Sequence, residues 1–265
     1  MKEFHCHSFF SGDSEEEPRR ICETAIKKGI TYLTITDHID HYPIPSPNIF
    51  TFDVEKYFTL WKDLQKEYEK DLNIGIGVEI GLQPSMCEEN DDFIEKYPFD
   101  FVIGSIHAVE GKDIYLDRFL EQYPPVEALH HYYDDMLYCV KHTKNFHILG
   151  HIDYIDRYFK DKKDVPDYKI FMPKIKEILQ ELIQTQRGIE CNTAGLRKGL
   201  DHMNPKPSII QSYYDLGGRI ITIGADAHFA KDLGADYKKA VEIVKEIGFK
   251  KLSYFKNKEE EKIDF

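Results

Sequence analysis

Several things are scarce in this chain of 265 residues, and each shortage closes off a class of protein. Cysteine occurs five times, as Cys6, Cys22, Cys87, Cys139 and Cys191, and no two form a CxxC pair. An odd count at wide spacing argues against a disulfide framework and suits a reducing compartment. No apolar run reaches the roughly eighteen residues of a membrane span. The order of a signal peptide is missing too, since Met1-Lys2 lead directly into an apolar-periodic strand. The expected location is therefore cytoplasmic. There is no internal repeat and no low-complexity linker. That predicts one domain over residues 1–265, long enough for an α/β barrel around a single core.

Positive charge is also in short supply. Lysine and arginine number 35 against 47 acidic residues, a net charge of -12. Such a chain should repel nucleic acid and anionic membranes, so neither is expected as a partner. A small anionic substrate is still compatible, because metals or arginines reverse the field inside a pocket. No interface signature marks an oligomeric state, which stays open.

What the chain does have is a series of short apolar runs that end in chemically capable residues. They are EFHCH (3–7), TYLTITDH (31–38), NIGIGVEIG (73–81), FDFVIGSIH (99–107), FHILGHID (146–153), GIECNTAG (188–195) and RIITIGADAH (219–228). Helical patterns fill four of the six gaps between them, all but those after the third and sixth runs, and a fifth follows the last run. One closes at Gly29 and another at Gly248, and Pro173 should cap or kink a third near its start. Near-continuous apolar strands separated by helices predict an α/β fold with a closed or nearly closed barrel of parallel strands. A doubly wound open sheet is the competing fold, but it gathers ligands mainly at one switch point. Here almost every strand ends in a candidate ligand, as a barrel requires. The charged tail FKNKEEEKIDF is expected on the surface, and the proline-rich stretch 42–50 is expected to be a loop, a candidate lid.

Residues two apart on a strand face the same way, so His5 and His7 point together, as do Asp226 and His228. Imidazoles are good ligands for Zn, Mn and Fe. Glu79 stands alone as an acid in a glycine-rich apolar run, where an unpaired carboxylate would be costly and a metal would satisfy it. Any single histidine is more often a surface or hydrogen-bonded residue. The case rests on accumulation, since His38, His107 and His151 end three further runs. Asp13 follows the opening motif and is either a turn aspartate or one more ligand. His41 and His202 are possible substrate contacts, whereas His130, His131, His142 and His147 are assigned to the surface. Arg157 and Arg197 trail the fifth and sixth runs, where guanidinium groups would match phosphate oxygens. A surface ion pair is the plainer reading of either. Ser105 precedes His107 by two and would offer a hydroxyl to the same phosphate.

The stretches FHCHSFFSGD, ITDHID, GVEIG, GSIHAV, LGHIDYI, ECNTAGLRKG and GADAHFAKDLG together resemble the PHP family, the polymerase-and-histidinol-phosphatase class of metal-dependent phosphoesterases. More narrowly they resemble its histidinol-phosphate phosphatases. The resemblance implies a distorted (β/α)7 TIM-like barrel with a trinuclear site of divalent transition-metal ions. It implies that His5, His7, Glu79 and Asp226 hold one ion, that Glu79 bridges to a second held by His107 and His151, and that Asp13, His38 and His228 hold a third. Many relatives place histidine where this chain has Asp13, and a harder oxygen ligand there favours Mn or Fe over zinc, so two or three ions are expected. It implies phosphate binding by Arg157, Arg197 and Ser105, and a substrate, L-histidinol phosphate, cleaved to L-histidinol and inorganic phosphate in histidine biosynthesis. A hydroxide bridging two ions near Glu79 would attack phosphorus in line. Asp153, His228 or a metal-bound water would protonate the leaving alkoxide, and the residues do not choose among them. The alternatives are another small phosphomonoester, such as a nucleotide phosphate or phosphotyrosine, and an amidohydrolase-like cleavage of C–N bonds.

Overall fold

The computed structural model describes residues 1–41 and 50–265. Seven strands form the barrel wall: β1 (Lys2–Glu3), β2 (Tyr32–Ile35), β3 (Asn73–Gly81), β4 (Phe101–Ser105), β5 (Ile148–Leu149), β6 (Gly188–Asn192) and β7 (Ile221–Gly224). They pair in chain order and in parallel throughout. The first and last strands then meet. Phe4 N donates to Ile223 O at 3.3 Å, Asp226 N to His5 O at 2.8 Å and His7 N to Ala227 O at 2.9 Å. The expected nearly closed parallel barrel is therefore the observed fold. The two-residue strand His38–Ile39 pairs with β3 and sets His38 opposite Glu79.

β3 shows how the sequence shapes the wall. Period-two alternation puts Gly75, Gly77, Glu79 and Gly81 on one face and Ile74, Ile76, Val78 and Ile80 on the other. The glycine face leaves room around the one carboxylate. Tyr57 braces the strand by donating its hydroxyl to Gly77 O at 2.9 Å. That tyrosine lies on α2 (Val54–Glu67), whose N-terminus is capped by Asp53, accepting from Lys56 N at 3.1 Å. α1 (Pro18–Lys27) is followed by Gly29 with φ +73°, a conformation that costs glycine least. The other helices are α3 (Cys87–Lys96), α4 (Pro125–His142), α5 (Met172–Gln184), the single turn α6 (Ala194–Arg197), α7 (Pro207–Asp215) and α8 (Tyr237–Ile247). α4 packs beside α5, α5 beside α7 and α7 beside α8, so these four form part of an outer layer.

Three local expectations need adjustment. The charged tail is an antiparallel hairpin, β8 (Leu252–Lys256) with β9 (Glu259–Ile263); Phe255 is buried while Glu259, Glu260 and Glu261 are exposed. α3 and α7 were not anticipated, because their apolar stripes are short. His147 is not a free surface residue. Its ring lies against Phe101 and Phe255, and its Nδ1 accepts from Val102 N at 2.8 Å. The candidate lid falls on residues 42–49, outside the described residues, apart from Phe50.

One glycine ties the barrel to its mouth. A Cβ at Gly224 would lie 2.3 Å from Cβ of His5 and 2.4 Å from Oε1 of Glu190. Gly224→Ala should therefore overpack the mouth at a cost of roughly 1–3 kcal/mol, and lower Tm by about 3–10 °C. A calorimetric Tm equal to that of the unsubstituted protein would show that the wall yields there.

Candidate metal centre

At the C-terminal ends of the strands, imidazoles crowd around Glu79. Its Oε2 lies 2.9 Å from His5 Nε2, 3.1 Å from His38 Nδ1 and 3.5 Å from His7 Nε2. Its Oε1 lies 2.9 Å from His151 Nε2 and 3.3 Å from His107 Nε2. Asp226 adds Oδ1 at 3.4 Å from His7 Nε2, and φ of +52° turns its backbone sharply at the end of β7. His228 Nε2 lies 3.0 Å from Asp13 Oδ2, and His38 Nε2 lies 3.8 Å from the same oxygen. The structure thus gathers all nine residues expected as ligands into one cluster, drawn from the ends of six strands and from the loop that holds Asp13. Exposure rises across it. Side chains of His5 and Glu79 are 0% exposed, His228 is 22% and Asp13 is 43% exposed.

Several imidazoles are oriented from behind. His5 Nδ1 donates to Glu190 Oε1 at 2.7 Å, and His107 Nδ1 to Asp40 Oδ2 at 2.9 Å. His7 Nδ1 is 3.0 Å from Ser11 Oγ, whose own hydrogen goes to Asp37 Oδ1 at 2.8 Å. Each such bond fixes the tautomer and turns the Nε2 lone pair into the cluster. Three ring nitrogens buried here have no hydrogen-bond partner among the described residues: His7 Nε2, His38 Nδ1 and His151 Nδ1. Buried polar atoms are rarely left so. Together with two carboxylates between them, they fit divalent cations, and groups of three within 4.8 Å form around His5, His7 and Glu79, around His38, Glu79 and His107, and around His7, His38 and His228.

Proton affinities follow the packing. Burial pushes the Glu79 carboxyl up, but the charges of His5, His38 and His107 override it and hold it well below the usual carboxylate range. Asp226 is likewise held low, by His5, His7 and Arg157 against its burial. Burial, with His228 and His38 nearby, keeps His7 well below the ordinary imidazole value, so its ring stays neutral. His5 and His107 go the other way. Burial pushes both down, but Glu190 and Glu79 raise His5, and Asp40 and Glu79 raise His107, well above the ordinary value.

Both expected arginines reach this mouth, at adjacent residues of the β7 end. Arg157 Nη1 donates to Asp226 Oδ2 at 3.0 Å, and Arg197 Nη2 donates to Ala225 O. Other expected residues lie elsewhere. Asp153, weighed as a proton donor, has both carboxylate oxygens accepting: from Asn204 Nδ2 at 2.5 Å and from Lys206 N at 2.9 Å. The structure spends it on holding a loop. Ser105 is fully buried against Gly150, and its hydroxyl has no hydrogen-bond partner among the described residues. His41 turns to Asn90 and Phe93, and His202 Nδ1 to Met203 O at 2.7 Å. His202 does converge with Asp153 and Asp156, but Lys206 Nζ lies between those carboxylates and supplies the positive charge itself.

Sequence reasoning missed the residues behind the cluster: Glu190, Asp40, Asp37, Ser11, Asn192 and Asn204. Glu3 is another; it is pushed up to about 7 by burial even though it accepts from Ala225 N, Gly234 N and His5 N. The signal that found Glu79, an acid inside a buried apolar run, was present for Glu190 in GIECN and for Glu3 in EFHCH.

A parallel α/β barrel that gathers imidazoles and carboxylates at its strand ends, with arginines beside them, has the make-up of a metal-dependent hydrolase. The chain belongs to the PHP domain family, whose model matches residues 3–194. It is 34% identical over 255 residues to the probable histidinol-phosphatase of Clostridium acetobutylicum, spanning 95% of this chain and 96% of that one. It is 33% identical over 270 residues to the histidinol-phosphatase of Lactococcus lactis, spanning 96% and 93%. Among solved structures, the histidinol phosphate phosphatase of Lactococcus lactis, complexed with zinc, L-histidinol and phosphate, matches with a TM-score of 0.88 at 31% identity over 98% of both chains. No helix among the described residues is long and apolar enough to cross a membrane.

If Glu190 orients His5, Glu190→Gln should weaken zinc binding by about 10–100-fold. Competition with a chromophoric chelator measures this, and an unchanged zinc affinity would remove Glu190 from that role.

Proposed function

We propose that this chain hydrolyses L-histidinol phosphate to L-histidinol and inorganic phosphate, as one PHP-type domain over residues 1–265. One observation carries the reading. A buried cluster of imidazoles and carboxylates with two arginines against it sits in a fold that matches, over almost its whole length, a relative holding zinc, L-histidinol and phosphate. His5, His7, Glu79 and Asp226 would hold one ion, His107 and His151 with Glu79 a second, and His38, His228 and Asp13 a third. When bound, such ions supply a strong oxygen nucleophile at neutral pH and neutralise charge on the transferring phosphoryl group. Zinc is the ion seen in the relative; Mn or Fe at the Asp13 end follows from its harder oxygen donor.

The chain's own residues have distinct tasks. Glu79, with one oxygen toward His107 and His151 and the other toward His5, His7 and His38, would offer a carboxylate oxygen to each of two ions. Arg157 and Arg197 would take the equatorial phosphate oxygens, where a planar fork matches two oxygens at once. The exposed side, at Asp13 and His228, is where an ester would enter; His228 Nε2, as a ligand of the third ion beside Asp13, would not be free to hold the proton for the leaving alkoxide. Asp153 is left out of that role because its oxygens are already engaged.

Phosphate release from histidinol phosphate should vanish on chelation and return on adding back zinc, with single-metal additions ranking zinc, Mn and Fe. Loss of activity that no metal restores, or faster turnover of a nucleotide phosphate or phosphotyrosine, would overturn the reading. Arg197→Ala should lower kcat/KM by about 100-fold or more while zinc content stays at the unsubstituted level. Unchanged kinetics would take Arg197 out of phosphate binding.

A further inference from the structure

The side chain of Arg157 is 5% exposed, and all three of its guanidinium nitrogens are engaged. Nη1 donates to Asp226 Oδ2 at 3.0 Å, Nη2 to Asn192 Oδ1 at 3.0 Å and Nε to Asn204 Oδ1 at 2.9 Å. Two of these acceptors have other business at the mouth. Asp226 belongs to the cation cluster, and Asn192 Nδ2 donates to Glu190 Oε2 at 3.0 Å. Asn204 differs. It is fully buried, sits outside the cluster and faces Asp153 on its other side.

That second contact fixes which end of the amide meets the arginine. Nδ2 of Asn204 donates to Asp153 Oδ1 at 2.5 Å and to Asp153 O at 3.2 Å. A carboxylate and a carbonyl only accept, so the amide nitrogen must face them and the amide oxygen must face Arg157. Asp153 is held in turn by Lys206 N at 2.9 Å. The backbone of Asn204 is locked to β6 by two bonds with Asn192, at 2.8 and 2.9 Å. Nη1 is the nitrogen that would exchange Asp226 for a phosphate oxygen, which would leave the guanidinium held at Nη2 by Asn192. The bond from Nε to Asn204 gives it a second fixed point and so keeps its plane set.

We propose that Asn204, its amide oriented by Asp153, is the positioning residue for the phosphate-binding arginine Arg157. The inference rests on the reading of Arg157 given above, and it assigns a role to a loop, residues 199–206, that carries no ligand of the cluster. A guanidinium set in advance reaches two phosphate oxygens without first searching for the plane. A misplacement of about 1 Å at such a group costs on the order of 100-fold.

A double-mutant cycle tests this with zinc saturating. Asn204→Ala should lower kcat/KM for histidinol phosphate by about 10–100-fold and raise the dissociation constant of inorganic phosphate, read by calorimetry, by a similar factor. Zinc per chain, read by elemental analysis, should not change. In the Arg157→Ala background the same substitution should alter either quantity by less than about threefold, because the group it acts through is gone. Equal losses in both backgrounds, or unchanged phosphate affinity, would overturn the proposal. If Asn204→Ala does not fold, Asp153→Asn is read the same way. It keeps the shape, leaves the amide of Asn204 oriented only by the 3.2 Å bond to the main-chain carbonyl, and should give a smaller loss with the same dependence on Arg157. A protein that bound phosphate but left histidinol phosphate intact would refute the substrate reading alone, and phosphate binding across the four proteins would still decide the role of Asn204.

Discussion

One buried carboxylate facing five imidazoles is the constraint on which the barrel mouth depends. Glu79 is fully buried, and a lone ionised carboxylate there would cost several kcal/mol. Its neighbours do not relieve it as simple hydrogen-bond donors. His5 and His107 each give the Nδ1 hydrogen to a carboxylate behind, Glu190 and Asp40, so in the neutral ring the lone pair of Nε2 faces Glu79. Lone pair would then meet lone pair at 2.9 Å for His5 and 3.3 Å for His107. Positive charge must come between or onto them. Protons do so by raising His5 and His107; divalent cations do so while leaving every imidazole neutral. The same electrostatics that make the site unfavourable when uncharged make it a strong cation site.

The outer ring of acids is therefore as much a part of the centre as the inner one. Glu190, Asp40 and the Ser11–Asp37 pair each choose a tautomer for one imidazole. They also bind the wall together, since Glu190 accepts from His151 N at 3.1 Å and so joins β6 to the end of β5 while holding His5 just past β1. Gly224 lets this happen, because any side chain there would stand where Glu190 and His5 meet. Barrel closure and ligand orientation are in this respect one problem with one solution.

Much of this was legible in the chain itself, for physical reasons. Two imidazoles at a spacing of two on a strand must share a face, so His5 with His7 and Asp226 with His228 could be read as pairs. Glu79 was legible because an acid inside NIGIGVEIG has no benign explanation. The barrel followed from the number of apolar runs and from ligands at nearly every strand end. What stayed hidden was anything decided by a partner distant in sequence. Asp153 ends a strand run just as His151 does, yet Asn204, fifty-one residues on, takes up its oxygen. Ser105 shares a face with His107 but ends against Gly150. His41 follows Asp40, whose carboxylate supports His107, yet its own ring turns outward to Phe93. The tail was hidden for a different reason. A strand of glutamates has no apolar face to announce it, and only pairing with β8 makes it a strand.

Asp226 joins the two halves of the site. Its Oδ1 faces the imidazoles and its Oδ2 faces Arg157, so one carboxylate stands between the cation cluster and the guanidinium. In a chain with a net charge of -12, this arrangement places positive charge on both sides of a single buried anion. An arriving phosphate dianion would meet the same two partners that Asp226 already satisfies, and it would compete with Asp226 for Nη1 of Arg157. That competition is easier to win if the arginine does not have to move, because Nε stays on Asn204 while Nη1 exchanges one oxygen for another. On this reading the field that would draw an anion into an acidic protein is local, and it would depend on where one aspartate and one asparagine hold one arginine.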